Sequence, residues 1–323
     1  MKKIFFGIYL LLLAFFSPVY AGGGITHMLV AQEAINRLPD PQLRQLLLNN
    51  LDAYLVGADY PDSGYIEGNH YGEDSHWDPF IYTFADYIKE KYPDPAIQNP
   101  KLVAFLFGCA AHRVSDEIMH WTFYPIVAEK DFNGDVNKAH SYADTGIDLL
   151  LNVDKNQWFT EPKVWWVPVS DLVGVYHRMG KDEYTAKEII WGNSVLALAN
   201  YSERLIAAPA YPYLKWKMPW TTANYADWPV GGLTMDEQKI AEYQTTLWRY
   251  LHKPSLRFMA DVKITPEKTT PVTAFASQAL ASGAANVTTK TNADGSVELQ
   301  TPVIRQTEAF QALLRQLLAK MTS

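Results

Sequence analysis

The stretch that decides the fold reads LVAFLFGCAAHRVSDEIMHW and covers residues 102–121. Its apolar first half leads into three polar side chains, His112, Asp116 and His120, which are spaced four residues apart. Asn99-Pro100 lies just before it and has the form of an N-cap followed by proline at the first helical position. The pattern therefore predicts a helix over residues 102–121.

The three polar side chains of this helix have a spacing that suits metal binding. Steps of four residues rotate by about 40° each, so His112, Asp116 and His120 project from one broad face. His112 and His120 are about 12 Å apart along the axis, too far for one zinc ion with bonds of about 2 Å to bind all three. The spacing predicts at least two metal ions, with Asp116 able to bridge them through its two oxygens.

A second group of metal-ligand types lies elsewhere in the chain. His140 and Asp144 repeat the four-residue spacing on the next predicted helix, and His27 opens the first one. Asp62 and His76 lie in or beside a long irregular stretch rich in Gly, Asp and His. Taken alone, each of these residues or pairs is also typical of a surface hydrogen bond or a helix start. Two His/Asp sets in apolar surroundings would, however, be costly to bury without a cation, so we expect a metal centre.

The single cysteine, two further histidines and one further aspartate limit the kinds of site that the chain can form. Cys109 is the only cysteine, which excludes an intramolecular disulfide and a zinc thiolate site. His177 and His252 have no partner at ligand spacing, and we assign them no metal role. We interpret Asp59 as an exposed loop carboxylate, with orientation of a histidine ligand as the alternative.

The N-terminus predicts export. Lys2 and Lys3 precede an apolar run over residues 4–16, and a small residue, Ala21, occupies the position expected before a signal-peptidase cut. An uncleaved anchor is the alternative. The processed chain would begin at Gly22 and be periplasmic or secreted. The formal net charge of −7, or −9 without the two lysines, disfavours nonspecific binding to nucleic acid.

Helical signals dominate the rest of the chain. Asp78-Pro79 predicts a helix start before residues 80–91, and Thr234-Met235-Asp236-Glu237 has the form of a capping box before a helix that stops near Lys253-Pro254. The tail suggests a hairpin over residues 287–299 and a final amphipathic helix. We predict an all-α, multi-helix fold with a small C-terminal hairpin and helix. Its predicted divisions are a signal peptide at 1–21, a helical domain at 22–262 and an accessory segment at 263–323.

These motifs together resemble the zinc-dependent phospholipase C/D family, and most of all the catalytic domain of glycosylphosphatidylinositol-specific phospholipase D. The resemblance extends from residue 22 to about residue 176. It rests on Ile25-Thr26-His27, Gly57-Ala58-Asp59-Tyr60-Pro61-Asp62, His76-Trp77-Asp78-Pro79-Phe80, the 102–108 run with His112, Asp116 and His120-Trp121, the pair His140 and Asp144, and residues 166–172.

The resemblance implies three zinc ions in an all-helical domain. Its ligand sets, carried over to this chain, are Asp62, His76, His112 and Asp116 for one ion; His120, His140 and Asp144 for a second; and His27, Asp116 and the amine and carbonyl of Gly22 for a third. More distant relatives place five residues, rather than three, between the bridging aspartate and the next histidine. The shorter spacing here matches the phospholipase D type.

The expected activity is hydrolysis of phospholipid phosphodiester bonds by metal-activated water, in a phospholipase C or D type reaction. Zinc lowers the pKa of a bound water toward 7, so no protein nucleophile is needed. Beside metal binding, we assign catalytic roles to Asp116 and Asp62. We expect a monomer that acts on a phospholipid or a glycosylphosphatidylinositol-like substrate at a membrane surface, and no nucleic-acid partner. The alternatives are a zinc-dependent single-strand nuclease and a non-catalytic, metal-stabilised surface binding protein.

Overall fold

The computed structural model describes residues 23–159, 162–252 and 271–321. Helices account for most of these residues, which confirms the predicted all-α class. In chain order they are α1 (Gly24–Ile35), α2 (Pro41–Asn49), α3 (Leu51–Asp59), α4 (Gly72–Ser75), α5 (Asp78–Lys91), α6 (Pro95–Gln98), α7 (Pro100–Ile118), α8 (Tyr124–Asp131), α9 (Val136–Asp154), α10 (Val169–Arg178), α11 (Ala186–Lys217), α12 (Pro219–Asn224), α13 (Leu233–His252), α14 (Pro271–Ala281) and α15 (Thr307–Met321).

Helices α3 and α7 form the most extensive helix–helix contact in the described part of the chain. Two glycines allow their backbones to touch. A Cβ on Gly108 would lie 2.1 Å from the Tyr54 carbonyl oxygen, and one on Gly57 would lie 2.2 Å from the Phe105 carbonyl oxygen. Such distances exclude any side chain, so both positions require glycine. The crossing brings Asp62, just beyond α3, beside His112, one turn beyond Gly108.

The predicted helix over residues 102–121 is present, but its end differs from the prediction. The Asn99 side chain accepts a hydrogen bond from the Leu102 amide at 3.1 Å, as the capping signal indicated. Helix α7 ends at Ile118 and continues as a π-helical segment, Met119–Phe123. Wider π-helical turns change the direction of the side chains, and such segments often occur at functional sites. His120 lies in this segment rather than in the regular helix.

Two predicted helix starts were wrong in detail. Trp77, not Asp78, caps α5; Asp78 is its first residue, and its carboxylate instead accepts a hydrogen bond from Arg113 Nε at 2.8 Å. Thr234 does not form a capping box, because α13 already begins at Leu233 and the Thr234 hydroxyl donates to Asp227 at 3.1 Å. In each case a tertiary partner takes the side chain that the local pattern assigned to a cap.

The stretch between α3 and α5 is more regular than predicted. It contains a 3-10 helix, Tyr60–Tyr65, and the short helix α4. Asp62 lies in the 3-10 helix, and His76 directly follows α4. Both side chains are thus held by short, hydrogen-bonded turns rather than by a structureless loop.

The short strands lie in two sheets. Their bounds are β1 (Trp165–Val167), β2 (Ala285–Asn286), β3 (Thr289–Thr291), β4 (Val297–Leu299) and β5 (Val303–Ile304). The predicted hairpin is present, since β3 and β4 are antiparallel with Thr289 opposite Leu299. Strand β4 also pairs with β1, in the order β1-β4-β3, while β2 pairs with β5. The C-terminal segment therefore adds strands to a sheet that begins within the helical domain.

The final amphipathic helix is also confirmed as α15, with Phe310 and Leu317 buried. Among the described residues, none of the helices combines the length and the apolar composition that crossing a membrane requires. The proposed signal peptide, Gly22, the boundary at residues 262 and 263, and the stop near Lys253-Pro254 lie outside the described residues.

Candidate metal centre

Eight of the nine predicted metal ligands come together in one place; the ninth, Gly22, lies outside the described residues. They form three groups, two of which share His112, and within each group the ligand atoms lie within 4.8 Å of one another. The groups are His27, His112 and Asp116; Asp62, His76 and His112; and His120, His140 and Asp144. The predicted third set paired His27 with Asp116, and the structure adds His112 to that pair.

His76 and His112 form the most deeply buried part of the centre. Their Nε2 atoms are 3.0 Å apart, and each ring is held from behind by a backbone carbonyl. His76 Nδ1 donates to Gly72 O at 2.6 Å, and His112 Nδ1 donates to Ala58 O at 2.8 Å. A carbonyl oxygen only accepts, so Nδ1 carries the proton in both rings and both Nε2 lone pairs face the same point. This arrangement is typical of histidines that bind a metal.

Carboxylate oxygens complete that group. Asp62 Oδ1 lies 3.4 Å from His76 Nε2 and 3.7 Å from His112 Nε2, with all three side chains buried. Two facing lone pairs and an anion, removed from water, need a cation between them. Nitrogen and oxygen donors at these separations are ligands that zinc accepts, so the residues fit the metal that the sequence predicted.

Asp116 connects the histidines on its two sides. Its Oδ1 lies 3.3 Å from His27 Nε2 and 3.7 Å from His120 Nε2. Its Oδ2 lies 3.4 Å from His76 Nε2 and 3.6 Å from His112 Nε2. The two oxygens therefore face different histidines, which is the geometry that a bridging carboxylate needs.

The third group is nearer to solvent. His140 Nε2 lies 3.1 Å from Asp144 Oδ2, and the rings of His120 and His140 have centroids 4.5 Å apart. The Tyr124 hydroxyl donates a hydrogen bond to Asp144 Oδ1. The side chains of His120 and His140 are each 17% exposed, whereas those of His76 and His112 are at most 1% exposed. A substrate would therefore approach the centre from the side of His120 and His140.

In the buried part of the centre, carboxylates and histidine rings lie close together and shift the pKa values of one another. Burial lowers the pKa of His112, but the facing carboxylates of Asp116 and Asp62 outweigh it and raise that pKa to about 10. Burial likewise raises the pKa of each carboxylate, but the surrounding histidines, with His112 the strongest, together outweigh it and hold the pKa of both Asp62 and Asp116 below the usual value. The anions are therefore ionised at neutral pH and hold a positive charge, either a proton on His112 or a metal ion.

Sequence reasoning missed Asp148, which positions the helix that carries His27. Its carboxylate accepts hydrogen bonds from the Ile25 amide at 3.0 Å and the Thr26 amide at 2.8 Å, and also from the Thr26 hydroxyl. A carboxylate at the first turn of α1 satisfies amides that have no partner within the helix. The signal was available, because Asp148 continues the four-residue spacing of His140 and Asp144.

The interpretation of Asp59 as an exposed carboxylate was wrong. The residue is 1% exposed, and Asn200 donates a hydrogen bond to it at 2.9 Å. Burial raises the pKa of Asp59 to about 8. The Asp59 carboxylate faces the core because α1 and α11 cover it: Asn200 is its hydrogen-bond partner, and a Cβ on Gly24 would lie 2.6 Å from Asp59 Oδ1.

The two histidines without an assigned metal role lie apart from the three groups. His177 is exposed and 3.6 Å from the Asp182 carboxylate, and His252 Nδ1 donates to the Trp248 carbonyl at 2.8 Å. The tryptophans differ in exposure. Trp166 is buried, whereas the side chains of Trp121 and Trp216 are 55% and 72% exposed.

Comparison with known proteins agrees with this site. Residues 26–188 match the family model described as zinc dependent phospholipase C, a range that contains all eight predicted ligands that the structure describes. The chain belongs to this family. The family depends on zinc, and the donor set of the described residues fits that ion. No solved structure matches the chain.

Members of the family with curated names also match. Phosphatidylinositol-glycan-specific phospholipase D of Homo sapiens is 34% identical over 203 residues, covering 59% of this chain and 24% of the relative. The Bos taurus protein of the same name is 32% identical over 242 residues, covering 69% and 29%, and that of Rattus norvegicus is 30% identical over 264 residues, covering 76% and 31%. The chain thus spans less than a third of the length of these relatives.

Proposed function

We propose that the chain is a zinc-dependent hydrolase that cleaves phosphodiester bonds of phospholipids. The observation that carries the proposal is the position of Asp116, whose two oxygens face His27 and His120 on one side and His76 and His112 on the other. A single carboxylate between groups of ligands suits a multinuclear centre. Family membership and the names of the relatives support a phospholipid substrate.

The residues of the chain have separate tasks in this reaction. Bound zinc supplies an acidified water and a Lewis acid for the phosphoryl oxygens. His76 and His112 present fixed Nε2 lone pairs, because Gly72 and Ala58 hold their Nδ1 protons. Asp116, and Asp62 beside it, place negative charge where the metal ions bind. The more exposed side chains of His120 and His140 leave room for the phosphate group.

We further propose three zinc ions, with the amine and carbonyl of Gly22 as ligands of the third. Gly23 supports this, because its carbonyl accepts a hydrogen bond from the His27 amide at 2.7 Å, which holds Gly23 against the helical turn that carries His27. A variant extended by Met-Ala before Gly22 should bind one zinc fewer and lose most of its turnover. Equal zinc content and rate in the extended and processed proteins would contradict the N-terminal ligand.

The physiological setting follows from the same proposal. An exported monomer that works in the periplasm or outside the cell would meet a phospholipid or glycosylphosphatidylinositol-like substrate at a membrane surface. The relatives named for phosphatidylinositol-glycan support the second substrate.

The deciding experiment measures release of phosphocholine, choline and inositol phosphate from liposomes by the zinc-loaded protein, beside a digest of single-stranded DNA. We expect release from lipid that stops on chelation and returns with zinc, and no cleavage of DNA. Cleavage of DNA alone would identify a nuclease. Zinc binding without either activity would identify a metal-stabilised binding protein.

A further inference from the structure

A buried ion pair lies beside the metal centre and contains none of the predicted metal ligands. Arg113 Nε donates to Asp78 Oδ1 at 2.8 Å, and the two side chains are 9% and 7% exposed. The Tyr243 hydroxyl of α13 donates to the same Asp78 oxygen at 2.7 Å. The Tyr243 ring also faces the guanidinium, with its centroid 5.4 Å from Arg113 Cζ.

The two partners of this ion pair are close in sequence to the two buried histidines, His76 and His112. Arg113 directly follows His112, so their Cα atoms are about 3.8 Å apart. Asp78 follows His76 by two residues, and the backbone of Trp77 between them is extended, which separates their Cα atoms by about 7 Å. The ion pair therefore joins the same two segments whose histidine Nε2 atoms are 3.0 Å apart.

Local hydrogen bonds orient His76 but do not connect its segment to α7. His76 Nδ1 donates to the Gly72 carbonyl, and Trp77 Nε1 donates to Glu73 Oε1 at 3.0 Å, so both bonds stay within residues 72–77. Asp78 differs from these residues, because its carboxylate reaches across to α7. The ion pair thus gives the segment of His76 a direct polar link to the helix of His112.

A guanidinium and a carboxylate are suited to fixing the separation of two segments. Their net contribution to stability is small, because the cost of removing both charges from water offsets most of their attraction. The planar set of guanidinium N–H donors is directional, however, and holds the carboxylate in one place. Arg113 Nη2 lies 3.5 Å from the second oxygen of Asp78, and Nη1 pairs with Glu117 one turn further along α7. The guanidinium is therefore itself held from two sides.

We propose that Arg113 and Asp78 are positioning residues that set the separation of His76 and His112 for the inner metal ion. The proposal rests on the proposed function, since it takes both histidines as zinc ligands. A tetrahedral zinc ion with bonds of about 2.0–2.1 Å needs its two nitrogens about 3.3 Å apart, close to the 3.0 Å observed. Residues that support metal ligands change metal affinity by about 10- to 100-fold when they are removed.

The test removes both charges together, in the double variant Asp78→Asn with Arg113→Met, so that neither charge is left buried alone. A zinc titration followed by NMR of the histidine ring nitrogens resolves His76 and His112 from the other ligands, and competition with a chelator gives the affinity. Zinc affinity at the two buried histidines should fall about 10-fold, while urea unfolding of the zinc-free protein changes little. Unchanged affinity would overturn the positioning role.

The matched control is an ion pair at the other end of α5. Lys91 Nζ lies 2.5 Å from Asp171 Oδ1 of α10, and the Tyr87 hydroxyl donates to the same oxygen at 3.0 Å. Lys91 is the last residue of α5 and Asp78 the first, so the two pairs are about 20 Å apart along the helix. Lys91→Met with Asp171→Asn should leave zinc affinity unchanged. Equal losses in the two double variants would mean general destabilisation and would overturn the proposal.

A single variant carries the test if the double variant does not fold. Arg113→Lys keeps the positive charge but replaces the planar donors with one ammonium group. Its zinc affinity at the buried histidines should fall several-fold. Affinity equal to that of the wild type would overturn the positioning role.

Amide hydrogen exchange in the zinc-free protein gives a readout that involves no metal. Exchange of residues 72–78 should be faster in Asp78→Asn with Arg113→Met, because the segment loses its link to α7, and unchanged in the control variant. Equal exchange rates in the wild type and this double variant would contradict the proposal.

None of these measurements needs a substrate, so the outcomes separate the two proposals. Zinc binding that the double variant retains in full would overturn the positioning role alone and leave the hydrolase function standing. A wild-type protein that binds no zinc at His76 and His112 would overturn both.

Discussion

The metal centre has an inner and an outer half, and the two differ in burial and in how their histidines are held. In the inner half, His76 and His112 are closed off from solvent, and backbone carbonyls orient their rings. In the outer half, His120 and His140 are partly exposed, and His120 lies on a π-helical segment. From this difference we expect the inner half to anchor metal within the core and the outer half to meet the substrate. Asp116 joins them.

The largest expected effect concerns that joining residue. Asp116→Asn should lower phospholipid hydrolysis by at least about 100-fold relative to His177→Ala and His252→Ala, because it removes negative charge from two groups of ligands at once. Elemental analysis should show the loss of more than one zinc ion. Similar activity in all three variants would mean that α7 is not the metal scaffold.

Removing one histidine from each half would test the difference in anchoring. His112→Ala leaves buried carboxylates without their partner and should lower the free energy of unfolding by about 3–5 kcal/mol. His140→Ala, nearer to solvent, should lower it by about 1 kcal/mol or less while abolishing most activity. Urea unfolding of the two purified variants measures both changes. Equal destabilisation would remove the distinction between the halves.

A smaller effect is expected from the support of the outer half. Tyr124→Phe removes the hydroxyl that donates to Asp144, and loss of such a hydrogen bond should weaken zinc affinity or activity about 10-fold. Tyr225→Phe is the matched control, because its hydroxyl donates to Asp154, away from the ligands, at 3.0 Å. If the two variants show the same zinc affinity and activity, the hydrogen bond from Tyr124 does not support metal binding by Asp144.

The smallest expected effect is a pH dependence of the zinc-free protein. The pKa of His112 is raised to about 10 in the folded protein, so the protonated ring stabilises the folded state. This contribution to stability is complete below the unfolded-state pKa of about 6.5 and is lost as the pH rises through 10. The raised pKa of Asp59, about 8, acts in the same direction. The lowered pKa values of Asp62 and Asp116 add no slope above about pH 5.

Under the proposed ligand assignment zinc would replace the proton at His112, so the zinc-loaded protein should not lose this contribution to stability. The difference in Tm between zinc-loaded and zinc-free protein should therefore widen by a few degrees from pH 6.5 to pH 9.5. Calorimetric scans at several pH values measure it. A constant difference would show that the inner half does not hold a proton in place of the metal.

Much of the site was predictable because its signals are local. Four-residue spacing places His112, Asp116 and His120, or His140 and Asp144, on one helix face whatever the rest of the chain does. The cap at Asn99 and the hairpin over residues 287–299 also depend on neighbouring residues, and both are confirmed. The other predicted ligands, His27, Asp62 and His76, have no regular spacing, and only the resemblance to the family motifs indicated them.

Other features depended on partners outside the local pattern, at a range of distances along the chain. Asp78 and Thr234 looked like caps, but Arg113 and Asp227 take their side chains. Asp59 looked exposed, but Gly24 of α1 and Asn200 of α11 cover its carboxylate. A local pattern indicates which contacts a side chain favours, but it does not indicate which other group competes for that side chain in the folded protein.

The sequence by itself determined the helical class and the helix faces that carry the predicted ligands, because helix geometry is set by the backbone. From those faces it also predicts more than one metal ion. Only the tertiary structure decided that these faces meet. The contact at Gly57 and Gly108 brings Asp62 to His112, and Asp148 brings α1 with His27 to the same point. Convergence is a property of packing between helices, whose contacts join residues more than a hundred positions apart.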